Sequence, residues 1–127
     1  MHVSDEKIFE LFELLDRLCE IEDEQLLGYF TNENIGALRI ASVVLKDEIY
    51  FEKVLSQKRF IKVVQELCEA KKIWSAKLEE TLARVASGFD RGESVQALWI
   101  LNGFIRFCPS PYFRNIAEEM LGEYEDQ

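Results

Sequence analysis

From Ile8 onward, the apolar residues Ile8, Leu11, Phe12, Leu15, Leu18 and Cys19 return at steps of three and four. That spacing lines one face of a helix and predicts one from the N-cap Ser4 to about Glu20. Phe9 and Leu14 widen the apolar stripe, so more than one neighbour is expected to pack there. Asp23 to Phe30 reads as a short helix, and Thr31-Asn32-Glu33-Asn34 as a break with a new cap. Ser42-Val43-Val44-Leu45 has strand propensity, but no second strand is evident to pair with it, so Ile35 to Lys46 is read as helix. Asp47 to Leu55 is expected to be a short helix carrying Ile49, Tyr50, Phe51, Val54 and Leu55. Ser56 caps the next, whose apolar side is Phe60, Ile61, Val63, Val64, Leu67 and Cys68.

In the second half, Trp74 reads as part of a connection, and Ser75 as the cap of a helix with Leu78, Leu82, Val85 and Ala86 inward. That helix is expected to end near Ser87-Gly88, with glycine in the left-handed position. After the loop Phe89-Asp90-Arg91-Gly92 comes Val95 to Phe107, VQALWILNGFIRF, apolar nearly all round and too short to cross a bilayer. Such a helix is expected to be wrapped by others. Cys108-Pro109 stops it, and Ser110-Pro111 is a strong start signal for a last helix closed by Gly122. The pattern predicts an all-α single domain, residues 1–127, of about seven helices stacked as antiparallel hairpins. LLDRLCEI (Leu14 to Ile21) aligns without gaps on VVQELCEA (Val63 to Ala70), an echo that would suit a HEAT- or armadillo-like arrangement.

Length and composition support one globular domain. The chain has 127 residues, enough to bury a core without metal or disulfide staples. Its hydrophobic share is 48% with only two prolines, which excludes a disordered chain. The net charge of −9 disfavours direct binding to a nucleic-acid backbone; it either keeps the domain soluble or suits a basic protein partner. Acid is concentrated at the ends: Met1 to Asn34 holds ten acidic against two basic residues, whereas Ile35 to Trp74 holds eight basic against five acidic. The three cysteines, Cys19, Cys68 and Cys108, form no C-x-x-C pair, and the odd count predicts reduced thiols in a cytoplasmic protein. The acidic N-terminus lacks the basic start of a signal peptide, and no apolar run reaches the roughly 18 residues of a membrane span.

Candidate chemistry is sparse. His2 is the only histidine and lies at the terminus, which disfavours nucleophilic triads and zinc or di-iron enzymes. No metal, cofactor or catalytic set is expected. Adjacent carboxylates such as Glu79-Glu80 and Glu118-Glu119 diverge by about 100° on a helix and do not converge on a substrate. The basic set Lys58, Arg59, Lys62, Lys71 and Lys72 reads as a solvated helix face. Glu20, Glu22, Asp23 and Glu24 read either as first-turn charge of a helix or as part of an acidic face for a basic partner. Gln96, Trp99, Asn102, Gly103 and Arg106 fall on one arc of the apolar helix. Trp99 is then either half-covered by a neighbouring element or a binding anchor beside Arg106. In size and charge the chain is similar to bacterial toxin-immunity proteins, an analogy of bulk properties with no motif behind it. The expectation is a non-catalytic inhibitor that neutralises a basic toxin or nuclease. The alternative is a short helical-repeat adaptor for a peptide or helix. The partner residues expected are Glu20, Glu22, Asp23, Glu24, Gln96, Trp99, Asn102 and Arg106; in the adaptor reading the acidic ends only confer solubility.

Overall fold

A computed structural model describes residues 3–47 and 56–126. The described residues hold six α-helices and no strand: α1 (Asp5–Cys19), α2 (Asp23–Leu26), α3 (Asn32–Lys46), α4 (Gln57–Asp90), α5 (Ser94–Phe107) and α6 (Pro111–Glu125). A short 3-10 turn, Leu27–Tyr29, continues α2. The short helix expected over Asp47 to Leu55 falls, past Asp47, outside the described residues, as does His2. Among the described residues six helices stand where seven were expected, because the two helices expected on either side of Trp74 are one. Ala70-Lys71-Lys72-Ile73-Trp74-Ser75-Ala76 contains no glycine or proline, so nothing interrupts the hydrogen-bond ladder and Ser75 sits inside α4.

The four side-chain caps form where the sequence places them. Ser4 Oγ accepts from the Lys7 amide at 3.2 Å, Thr31 Oγ1 from Asn34 at 3.1 Å, Ser56 Oγ from Arg59 at 3.1 Å and Ser110 Oγ from Phe113 at 3.4 Å. Each satisfies an amide that the first helical turn leaves without a partner.

Two compact units divide the chain, Met1–Lys71 and Lys72–Gln127, with the boundary inside α4. In the first, α1 packs on α3. The stripe Ile8, Leu11, Leu15 and Leu18 is buried, together with Leu26, Leu38, Leu45, Phe60, Val63, Val64 and Leu67. Each large aliphatic side chain so buried stabilises the fold by roughly 1.5–3 kcal/mol. The start of α4 runs antiparallel to α1. Gln65 Nε2 donates to Asp23 just beyond α1, Cys68 reaches Cys19, and Lys71 reaches back to Asp16 at 2.7 Å and over the Phe12 ring at 5.1 Å.

Cys19 and Cys68 form a disulfide, with Cα atoms 6.0 Å apart. This corrects the expectation of three reduced thiols. The two cysteines occupy matching places in the Leu-Cys-Glu echo, and the antiparallel seam brings those places together. No spacing rule shows such a pairing, because the helices between the two residues determine it. Disulfides persist in oxidising compartments. The cysteine usage therefore no longer supports the cytoplasm. Among the described residues no helix is long and apolar enough to cross a membrane.

In the second unit α5 packs on α6. Leu78, Val85, Ala97, Leu101, Phe104, Phe113 and Ala117 are buried. Trp74 meets Phe104 edge-on at 6.0 Å, and Phe89 stacks on Tyr124 at 4.3 Å. Gly88 does not end α4. A Cβ there would stand 2.9 Å from Ala97 Cβ, so glycine allows the close approach of the end of α4 to α5. The left-handed residue is Gly92, φ 75°. Its amide donates to the Phe89 carbonyl and that of Glu93 to the Gly88 carbonyl, the paired bonds of a Schellman ending. Gly122 likewise lies within α6, which runs on to Glu125.

Two outcomes test this packing. Reduction, or replacing both Cys19 and Cys68 by Ser, should lower the unfolding free energy by about 2–4 kcal/mol, read by chemical denaturation with and without reductant. Gly88→Ala should cost about 1–3 kcal/mol through overpacking against Ala97, read as a lower midpoint in the same experiment.

Candidate protein-docking faces

The first unit presents an acidic stripe. At about 100° per residue, Glu6, Phe9, Glu10, Glu13, Asp16, Arg17 and Glu20 share the arc of α1 opposite its buried leucines, and all are exposed. Phe9 is 64% exposed within it, which corrects its expected place in the packed stripe. It lies on the same side as Glu6 and Glu13, one turn before and after. Lys7 pairs with Glu10 at 4.0 Å, an exposed contact worth little. Glu22 and Glu24 are exposed at the start of α2, continuing the acid beyond α1. Asp23 is exposed too, but its carboxylate accepts two hydrogen bonds from Gln65, at 2.9 and 3.1 Å, and so serves the seam between elements.

The second unit presents an apolar row. Val95, Trp99 and Phe107 are 78%, 77% and 75% exposed, all on the outer side of α5. Gln96, Asn102 and Arg106 are exposed beside them, so four of the five residues expected on this arc are exposed, and Gly103 is half-buried. Asn102 Nδ2 donates to the Leu98 carbonyl at 2.9 Å, and the Arg106 guanidinium lies 5.7 Å from the Phe107 ring. The half-covered alternative for Trp99 is overturned, and so is the expectation that α5 is wrapped all round. Ala97, Leu101, Phe104 and Cys108 take the inward side, and the apolar residues left over face out. Composition alone hides this, because it counts apolar residues without regard to side.

A groove of about 390 Å³ between α4 and α5 adjoins the row and is lined by Arg84, Arg91, Glu93, Gln96 and Ile100 among others. Its lining holds no thiol and a single carboxylate, that of Glu93. Cys108 is buried, its S–H directed at the Ser110 carbonyl at 3.6 Å, and burial pushes its thiol pKa up, which disfavours the reactive thiolate. Among the described residues no group of three or more His, Cys, Asp or Glu stands together to hold a metal ion.

The structure therefore gathers Gln96, Trp99, Asn102 and Arg106 on one face, and places Glu20, Glu22, Asp23 and Glu24 in the other unit. Sequence reasoning missed Phe9, Val95 and Phe107. The helical period held the signal for Phe9 and Val95, which lie opposite the buried stripes of their helices, whereas Phe107 lies about 90° from the centre of the α5 stripe. No family model, curated protein or solved structure matches the chain.

Exposure of Trp99 has a direct consequence for stability. At low protein concentration Trp99→Ala should cost less than about 1 kcal/mol, as surface substitutions do. Trp74→Ala, which removes the edge contact with Phe104, should cost about 3 kcal/mol in the same denaturation measurement.

Proposed function

We propose that this chain is a non-catalytic protein-binding module, and more specifically a small acidic inhibitor, of the immunity type, that neutralises a basic toxin or nuclease by direct complex formation. The observation that carries this reading is Phe9, exposed in the middle of the acidic outer stripe of α1. An aromatic side chain surrounded by charge of one sign is the arrangement of an interface anchor with a steering rim. Carboxylates at Glu6, Glu13 and Glu20, continued by Glu22 and Glu24, speed encounter with a cationic partner and occupy the surface that partner offers to phosphate. The net charge of −9 adds a long-range attraction of the same sign. The Cys19–Cys68 bond favours an oxidising compartment over the cytoplasm as the setting.

The second reading is a short helical adaptor, HEAT-like in its stacking, that binds a peptide or helix. The exposed Trp99 favours it, since an anchor of that size on a helix face suits a groove-and-helix contact.

Capture of the partner on immobilised chain, followed by binding kinetics, separates the two. The inhibitor reading predicts a basic partner, association that slows with added salt, and a further drop of roughly tenfold or more in association rate for the triple variant Glu13→Lys, Glu20→Lys, Glu24→Lys. Helical circular dichroism should be unchanged. Binding that ignores both salt and the triple reversal, but is abolished by Trp99→Ala, belongs to the adaptor.

A further inference from the structure

We propose that α5 is the self-association face of this protein, two copies pairing through antiparallel α5 helices with Trp99 of each seated over Gly103 of the other. Val95, Trp99, Gly103 and Phe107 follow one another at steps of four, so they form a single ridge on the helix surface. The three large members are the most exposed apolar side chains of the second unit. The fourth is a glycine within a helix, which costs roughly 0.5–1 kcal/mol relative to alanine. Nothing among the described residues uses the space it leaves: a Cβ on Gly103 would meet none of their atoms within 4 Å. This contrasts with Gly88, where the neighbouring helix fills the gap.

The ridge reads the same in both directions from Leu101. Trp99 and Gly103 stand two residues either side of it, and Val95 and Phe107 six residues either side. A two-fold axis at Leu101 therefore sets the indole of one copy into the notch at Gly103 of the second, and Val95 against Phe107. Closed two-fold interfaces are built from one patch used twice in this way. The charged flank is also complementary. The same operation brings Arg106 towards Asn102 of the second copy, on the same flank of the ridge, whose amide oxygen accepts from a guanidinium. A parallel pairing would instead set Arg106 against Arg106.

The area is sufficient for a modest dimer. An aromatic side chain buries about 150–250 Å². With Trp99 and Phe107 three-quarters exposed, the two copies supply about 600 Å² from aromatics alone, before Val95, Gln96, Ile100 and Asn102 are added. That brings the face towards the roughly 1,200 Å² at which specific interfaces begin, and predicts a dissociation constant on the order of micromolar.

The inference does not depend on α1 or on any basic partner, and is tested on the purified chain alone by sedimentation equilibrium across a wide concentration range. A reversible monomer–dimer equilibrium is expected, weakened roughly tenfold or more by Trp99→Ala and by Gly103→Leu. Gly103→Leu has open space for its side chain and better helix propensity, so its monomer should melt no lower than the wild type. Loss of pairing in that variant is then loss of the notch. A wild-type chain that stays monomeric throughout, as an adaptor awaiting a foreign helix would, overturns the proposal. So does a dimer that both variants leave intact.

Discussion

A helix packed against its neighbours on one side only buries one arc of its surface and leaves the other to water or to another molecule. That constraint governs α1 and α5 alike. In α1 the buried arc is Ile8, Leu11, Leu15 and Leu18, and the opposite arc carries carboxylates with one phenylalanine among them. In α5 the buried arc is Ala97, Leu101 and Phe104, the opposite arc carries Val95 and Trp99, and Phe107 is exposed at the flank. A solvated Trp or Phe side chain forgoes roughly 1.5–3 kcal/mol of burial. Scattered single residues of this kind are ordinary on a protein surface, but three on one ridge make a patch. The two faces differ in character: one joins an aromatic to negative charge, and the other is apolar with a single arginine and flanking amides. We propose different occupants for them, a cationic protein for α1 and a second copy of the chain for α5.

Much of the fold was legible because its signals are local. Ser4, Thr31, Ser56 and Ser110 cap helices through bonds to amides three residues ahead, and such contacts need no tertiary knowledge. Ser110-Pro111 could be placed for the same reason. The errors came where two local readings were open and distant packing decided. Ser75 carried a capping signal, yet the chain through Trp74 had no breaker and stayed helical. Gly88 was read as a helix end because glycine often is one. Its actual use is steric, against Ala97, and the left-handed turn falls at Gly92.

The candidate docking residues were legible in part. Gln96, Trp99, Asn102 and Arg106 could be grouped on one arc by angle alone. Val95 and Phe107 were assigned to a wrapped core, because a stretch so apolar was taken to have no open side. The Cys19–Cys68 bond was out of reach for another reason. Pairing depends on the antiparallel seam between α1 and the start of α4, a relation between distant segments that no spacing rule encodes. The matching Leu-Cys-Glu segments were visible as an echo, but their contact was not.

The account stands or falls on whether Trp99 is in water when the chain is alone. Fluorescence of a Trp74→Phe variant, which keeps Trp99 as its only indole, measures this directly when recorded at concentrations too low for self-association. Red-shifted emission with quenching by acrylamide close to that of free tryptophan is the predicted result. Blue-shifted emission from an indole shielded from acrylamide would contradict it, and would return Trp99 to the core.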